Sequence, residues 1–188
     1  MKKNYIKNLT LSAMFLALGL VLPFLTLQIP EIGKMLLPMH IPVFLCALIC
    51  GWRYGLSVGL ILPLLRCFLF GTPMFYPMAL AMTFELATYG LVAGYLFNHS
   101  RWQCIISLYR SMIIAMVAGR LVLGLSNIIL MGIKGNSYTL KMFITGAFST
   151  AIPGIIVQLT LIPAIMVALN KAGLVKFHRH KGAVKVAI

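Results

Sequence analysis

The chain has 188 residues, of which 61% are hydrophobic and 10% are charged, and its mean hydropathy is +1.00. Soluble domains carry roughly 25% charged residues, so this composition excludes an ordinary soluble protein and indicates a polytopic membrane protein. Sixteen lysines and arginines oppose two acidic residues, for a formal net charge of +14. These basic residues lie mostly in short segments between apolar blocks, which argues against nucleic-acid binding and for orientation of helices in a membrane.

Six apolar blocks follow one another along the chain, each close to the length that crosses a bilayer. We therefore predict an all-α bundle of six transmembrane helices, formed as a single domain over residues 1–188. The first block lacks a small-residue cleavage site and is followed by further spans, so we expect a membrane helix there and not a signal peptide. The predicted spans are residues 9–28, 36–51, 55–70, 76–97, 108–133 and 142–170.

Basic residues are distributed unequally between the two sides that six spans define. Most lie at the N-terminus, in the turn at Arg53, in the segment Arg101–Arg110 and in the tail, whereas the opposite loops hold Lys34, Lys134 and Lys141. Positively charged loops stay on the cytoplasmic side of a membrane. Both termini are therefore predicted to be cytoplasmic.

The second predicted span is short, and its first half contains Pro38 and Pro42 on either side of His40. Proline disturbs a helical backbone, so we expect this end to be kinked or partly unwound, with His40 at its entrance. The third span begins with Gly55 and Gly59, one helical turn apart. Small residues at this spacing let a second helix approach closely within a membrane.

Besides Arg110 at the start of the fifth span, three charged residues lie within the predicted spans, namely Arg66, Glu85 and Arg120. A charge at the centre of a membrane helix costs about 2.5 to 3.5 kcal/mol on insertion scales, and such residues are usually functional. Glu85 is predicted to contact a ligand or to form a structural ion pair with Arg120, and the two are compatible because a pair can also contact a ligand. Arg66 either faces the bundle or anchors its helix at the outer interface. Because two arginines oppose one carboxylate, the second arginine needs backbone carbonyls, water or an anionic ligand group beside it. A carboxylate or carbonyl-rich ligand is therefore one hypothesis.

Stripes of small and polar residues mark one face of each of the last two spans. In the fifth span the stripe joins Arg120 to Asn127, and in the sixth it runs from Gly146 through Thr150 to Gln158. Either stripe alone is typical of helix packing in membranes. Together with the intramembrane charges, they predict the walls of a polar cavity that opens to the outside.

Motifs for catalysis and for metal binding are missing from the sequence. It has no P-loop, so the chain is not expected to hydrolyse ATP itself. It has no HExxH motif, and no nucleophile accompanied by a base and an orienting group. Cys46 and Cys50 lie four residues apart, a spacing that suits neither a disulfide nor a metal, and are predicted to be inert packing residues. We therefore expect no cofactor, no metal and no enzymatic activity.

Two stretches, LTLSAMFLALGLVLPF and LPMHIPVFLCALICGWRYGL, point to a known family. With the length, the span number and the topology, they make the chain similar to the S components of energy-coupling factor (ECF) transporters. These are small, basic six-span proteins that capture vitamins and related micronutrients at the surface of prokaryotic cells. The Pro-flanked helix followed by Gly-x-x-Tyr-Gly resembles the branch that includes riboflavin and pantothenate carriers.

The resemblance implies both partners and ligand contacts. Ala13 and Ala17 match the Ala-x-x-x-Ala with which the family contacts its membrane-embedded T subunit, so the implied partners are this subunit, two ATP-binding subunits and the lipid bilayer. Substrate in the family is held near the outer side by the first external loop and helices four to six. The candidate contacts that this implies, to which the charge argument adds Arg66, are Met39, His40, Tyr76, Glu85, Arg120, Asn127 and Thr150.

Our leading interpretation is the substrate-binding subunit of an ECF-type ABC transporter, importing a vitamin or cofactor precursor across the prokaryotic plasma membrane. Two other functions stay open. A stand-alone secondary transporter of a small polar or anionic metabolite would use Glu85 as a proton-coupling site. An intramembrane enzyme would use Glu85 and His40.

Overall fold

The computed structural model describes residues 2–26, 38–100, 104–133 and 152–173. Within these residues the chain forms six α-helices and no strand, which confirms the predicted all-α architecture. Five of the helices are long and apolar enough to cross a membrane, and the remaining one is shorter. The helices are α1 (Lys2–Val21), α2 (His40–Cys50), α3 (Trp52–Phe70), α4 (Leu80–Asn98), α5 (Ile105–Ile133) and α6 (Ile152–Lys171).

The helix bounds differ from the predicted spans mainly at the ends. α1 begins at Lys2, seven residues before the predicted span, because hydropathy marks only the segment in lipid and a helix can continue beyond it. α1 tightens into a 3-10 segment at Leu22–Thr26, which contains Pro23. α2 begins at His40, and residues 36 and 37 of the second predicted span lie outside the described residues. Residues 142–151 of the sixth predicted span lie outside the described residues.

α2 lies at the centre of the bundle, where it contacts α1, α3, α4 and α6. Every residue of α2 except Ile49 is buried. A helix that is apolar on all sides has to be surrounded by other helices, and the sequence HIPVFLCALIC has no polar face. The core packs Phe44 of α2 with Leu86 of α4, Met112 of α5 and Met166 of α6.

Glycines bring α3 and α4 into backbone contact along an antiparallel seam. A methyl group added at Gly59 would overlap the Leu86 carbonyl, and one added at Gly90 would overlap the Gly55 carbonyl. The predicted close approach of a second helix to the α3 glycines is therefore confirmed, and α4 is that helix. α3 follows α2 after a single connecting residue, Gly51, whose φ of 102° favours glycine.

The outer surface of the bundle is apolar along most of the long helices. Large side chains with exposed fractions above one half include Met14 on α1, Phe68 on α3, Leu121 on α5 and Ile156 on α6. A water-facing surface would not carry so many apolar side chains. This surface suits lipid, in agreement with a polytopic membrane protein.

Candidate functional site

Glu85 forms a buried ion pair with Arg120 inside the bundle. Glu85 lies on α4 and is 2% exposed, and its Oε1 is 3.2 Å from Nη1 of Arg120 on α5. Both charged side chains are buried, so each depends on the other for compensation. The ion pair that was one of two predictions for Glu85 is therefore present, and it ties α4 to α5.

Tyr89, one turn further along α4, adds a hydrogen bond to the ion pair. Its hydroxyl donates a 2.7 Å hydrogen bond to Oε1 of Glu85. Its ring stacks on Phe44, with ring centroids 5.1 Å apart, and lies 5.2 Å from the His40 ring. Gly119 on α5 makes room for this ring, since a methyl group there would overlap it. Tyr89 is thus held in the one position from which it reaches the carboxylate.

His40, the first residue of α2, faces the same carboxylate oxygen. Its Nε2 lies 3.7 Å from Oε1 of Glu85, beyond hydrogen-bond distance. The side chain is 1% exposed, and neither ring nitrogen has a hydrogen-bond partner among the described residues. Buried polar atoms without partners are uncommon and costly, so these nitrogens mark free binding capacity at the site. We refer to His40, Glu85, Tyr89 and Arg120 as the polar cluster.

Gln158 on α6 is a second buried polar residue with unused hydrogen-bonding capacity. It is 2% exposed, and its Nε2 has no hydrogen-bond partner among the described residues. α6 packs against both α2 and α5. On α5, Asn127 is half-buried and Gly124 is buried, so the predicted polar stripe of this helix faces partly inward.

Arg66 is engaged away from the polar cluster. It is 6% exposed and donates a 3.3 Å hydrogen bond to the Leu20 carbonyl near the end of α1. Its guanidinium carbon lies 5.9 Å from the ring centroids of Phe24 and Phe70. Backbone oxygen and aromatic faces are both favourable surroundings for a guanidinium. The second membrane arginine is therefore stabilised within the chain, which removes the reason to expect an anionic ligand group beside it.

The remaining predicted site residues occupy different positions. Met39 is buried immediately before α2. Tyr76 lies in a distorted turn, Phe75–Ala79, that leads into α4, and its hydroxyl donates to the Leu130 carbonyl of α5. Thr150 lies outside the described residues. Ala13 and Ala17 are both exposed on α1, where a partner helix has access to them.

Arg120 also borders a cavity of about 160 Å³ between α5 and α6. The rest of its lining is aliphatic or thioether, including Met116 on α5 and Ile155 on α6. The polar cluster therefore lies beside an apolar space, in keeping with the mixed character of small-molecule sites.

No candidate metal site is present among the described residues. They contain no group of three or more His, Cys, Asp or Glu side chains that could hold a metal ion. Cys46 and Cys50 are buried and free, and Sγ of Cys46 donates a long 3.5 Å hydrogen bond to Oγ of Ser12 on α1. Their surroundings agree with the predicted packing role.

Sequence reasoning missed the parts that Tyr89 and Gln158 play. The sequence contains a signal for Tyr89, because residues four apart on a helix are neighbours and position 89 lies four after Glu85. For Gln158 the signal was its place on the polar stripe of the sixth span. Neither signal reveals which partner each side chain meets, since that depends on how the helices pack.

Comparison with protein families gave one informative result. A family model described as "ECF transporter, substrate-specific component" matches residues 7–166. No curated protein and no solved structure matched the chain. The match covers all six helices, apart from the first few residues of α1 and the last few residues of α6.

Proposed function

The chain belongs to the family of substrate-specific components of ECF transporters, and from this premise we propose that it captures a vitamin or cofactor precursor for import into a prokaryotic cell. The observation that carries the proposal is the family match over residues 7–166. As a member of this family the chain is a substrate-binding membrane subunit of a transporter, and the family is not one of enzymes. The nature of the substrate is our proposal.

The polar cluster is our proposed binding site, together with Met39, Asn127 and the second half of the bundle. Binding sites for small molecules combine apolar walls with a few well-placed polar groups. The cluster supports this assignment because it joins residues from α2, α4 and α5 and keeps unpartnered nitrogens on His40. The basic residues favour a cytoplasmic location of both termini, so His40 and the first turns of α4 lie toward the outer side, from which a captured molecule arrives.

Partner subunits supply the energy for transport in this proposal, because the sequence has no P-loop of its own. Ala13 and Ala17 are exposed one turn apart on α1 and offer a flat patch for a helix of the T subunit. Two ATP-binding subunits complete the proposed assembly. The riboflavin and pantothenate branch stays a prediction that rests on the Pro-flanked helix and the Gly-x-x-Tyr-Gly turn.

A proton-coupled carrier remains the main alternative, and it places a different requirement on Glu85 than substrate capture does. It needs Glu85 to exchange a proton during transport, whereas Glu85 already has Arg120 and Tyr89 as partners. These contacts favour a structural and ligand-positioning role for the carboxylate.

The test is whether the chain alone retains a small molecule tightly. The chain is purified in mild detergent without the other subunits, and native mass spectrometry measures the mass of the intact protein. We expect a second species, heavier by one small molecule in a one-to-one ratio, that disappears after denaturation. A preparation with no such species, even after its membranes are incubated with cell extract, contradicts substrate capture by this chain.

A further inference from the structure

The polar cluster balances its own charge. Arg120 and Glu85 form a 3.2 Å ion pair, and the described residues place no other carboxylate or guanidinium in contact with it. The other intramembrane arginine, Arg66, donates to the Leu20 carbonyl and lies 5.9 Å from the centroids of two phenylalanine rings. A carboxylate or phosphate arriving at the cluster would meet an arginine that is already neutralised and a like charge on Glu85. The cluster therefore disfavours an anionic group.

The unused capacity at His40 is that of an acceptor. A neutral imidazole has one N–H and one lone-pair nitrogen. Because Nε2 is the nitrogen 3.7 Å from the Glu85 carboxylate, the proton is favourably placed on Nε2, and a lone pair there would face negative charge. This tautomer leaves Nδ1 as a buried acceptor, and Nδ1 has no partner among the described residues.

The unused capacity at Gln158 is that of a donor. Its Nε2 carries two N–H groups, and the described residues provide no acceptor for them. His40 begins α2, and Gln158 lies on α6, which packs directly against α2. The interior of the bundle thus retains an unmet acceptor at Nδ1 of His40 and unmet donors at Nε2 of Gln158 and at Nε2 of His40, the last facing the Glu85 carboxylate at 3.7 Å. Both side chains are at least 98% buried.

We infer that the captured molecule presents an uncharged hydrogen-bonding edge, such as an amide, a lactam or a ring with adjacent N–H and C=O groups, that donates to Nδ1 of His40 and accepts from Nε2 of Gln158. The inference rests on the proposed function and specifies the chemistry that the site recognises. Such an edge supplies the donor that Nδ1 of His40 lacks and the acceptor that Nε2 of Gln158 lacks, without adding charge to the membrane interior. A site of this kind discriminates strongly against analogues that lack the hydrogen-bonding groups, because its own polar atoms are then left unpaired.

The probe for the test is the small molecule released from the purified wild-type chain, identified by liquid chromatography and mass spectrometry. Its affinity is then measured by isothermal titration calorimetry on ligand-stripped protein. His40→Asn and His40→Gln are the informative pair, because the asparagine amide reaches the position of Nδ1 whereas the glutamine amide reaches that of Nε2. Gln158→Met keeps the length of the side chain and removes the donor. Ser111→Ala is the control, since Ser111 is buried but already bonded to the Leu108 carbonyl of its own helix.

We expect the released molecule to carry an uncharged donor–acceptor group. We expect His40→Gln and Gln158→Met each to weaken its binding at least tenfold, and His40→Asn, which keeps an acceptor at the position of Nδ1, to weaken it less than His40→Gln. Ser111→Ala should stay within threefold of wild type. All variants are compared as monodisperse protein, and Gln158→Met tests the inference independently if a histidine variant does not fold.

Two results overturn the inference and leave capture itself standing. One is a released molecule without an uncharged donor–acceptor group, and the other is wild-type affinity in both His40→Gln and Gln158→Met. Absence of any released molecule has a different meaning, because it contradicts the proposed function and the inference with it.

Discussion

Three side chains converge on a single oxygen, Oε1 of Glu85. Arg120 supplies a charge at 3.2 Å, Tyr89 donates a hydrogen bond of 2.7 Å, and His40 lies at 3.7 Å. An isolated charge in a membrane helix costs about 2.5 to 3.5 kcal/mol on insertion scales, so pairing within the bundle offsets a substantial penalty. The same contacts hold together the faces of α2, α4 and α5 that line our proposed site.

Removing one member of the ion pair is predicted to destabilise the protein more than removing both. Arg120→Gln leaves Glu85 buried without its cation, and loss of one partner of a buried pair costs about 3 to 5 kcal/mol. Glu85→Gln likewise leaves Arg120 buried in apolar surroundings without its anion. The double variant Glu85→Gln/Arg120→Gln can form a neutral hydrogen bond, so it should recover most of the loss. Chemical unfolding in detergent measures the three free energies. Strict additivity of the two single effects would contradict the ion pair.

Sequence alone identified the charged members of the polar cluster, for a physical reason. A carboxylate or a guanidinium stands out in an apolar segment because its cost there demands a partner. Backbone carbonyls were one of the predicted partners for the unpaired arginine, but the particular carbonyl that Arg66 meets was not predictable, because a backbone carbonyl leaves no mark in the composition of a span. The sequence also does not reveal that the ring nitrogens of His40 lack hydrogen-bond partners, because this depends on the packing of α2 against its neighbours.

At the scale of elements, the α3–α4 seam joins the helix that carries Arg66 to the one that carries Glu85. Gly55 and Gly59 lie against Gly90 and Leu86 with backbone in contact with backbone. The spacing of the α3 glycines predicted a close neighbour, and the choice of α4 as that neighbour required the three-dimensional arrangement. Helix ends were less predictable, because α1 and α5 continue past the apolar stretches that hydropathy detects.

Gly59→Ala and Gly132→Ala are predicted to have opposite effects on stability. The added methyl at Gly59 would overlap the Leu86 carbonyl and push α3 from α4, and overpacking of this kind costs about 1 to 3 kcal/mol. The methyl at Gly132 meets nothing within 4 Å, so there alanine should stabilise α5 by about 0.5 to 1 kcal/mol. Thermal unfolding of both variants in the same detergent compares them. Equal stability of Gly59→Ala and wild type would contradict the close seam.

At the scale of the whole molecule, the question is which parts of the surface face lipid and which face a partner subunit. Most of the outside is apolar and suits lipid. In the part of the chain that the structure describes, exposed alanines one turn apart occur on two helices, Ala13 and Ala17 on α1 and Ala164 and Ala168 on α6. The spacing by itself does not distinguish a partner surface from lipid-facing surface, and family membership is what favours the α1 pair.

The most direct test of the account is recovery of the other transporter subunits with the tagged chain from native membranes. Wild type and the matched control Ala164→Leu/Ala168→Leu should bring down a T subunit and two ATP-binding subunits. Ala13→Leu/Ala17→Leu should lose at least nine-tenths of them, because leucines prevent close approach of a partner helix, while still retaining the small molecule. Recovery of no ATP-binding subunit with the wild-type chain would contradict our central claim.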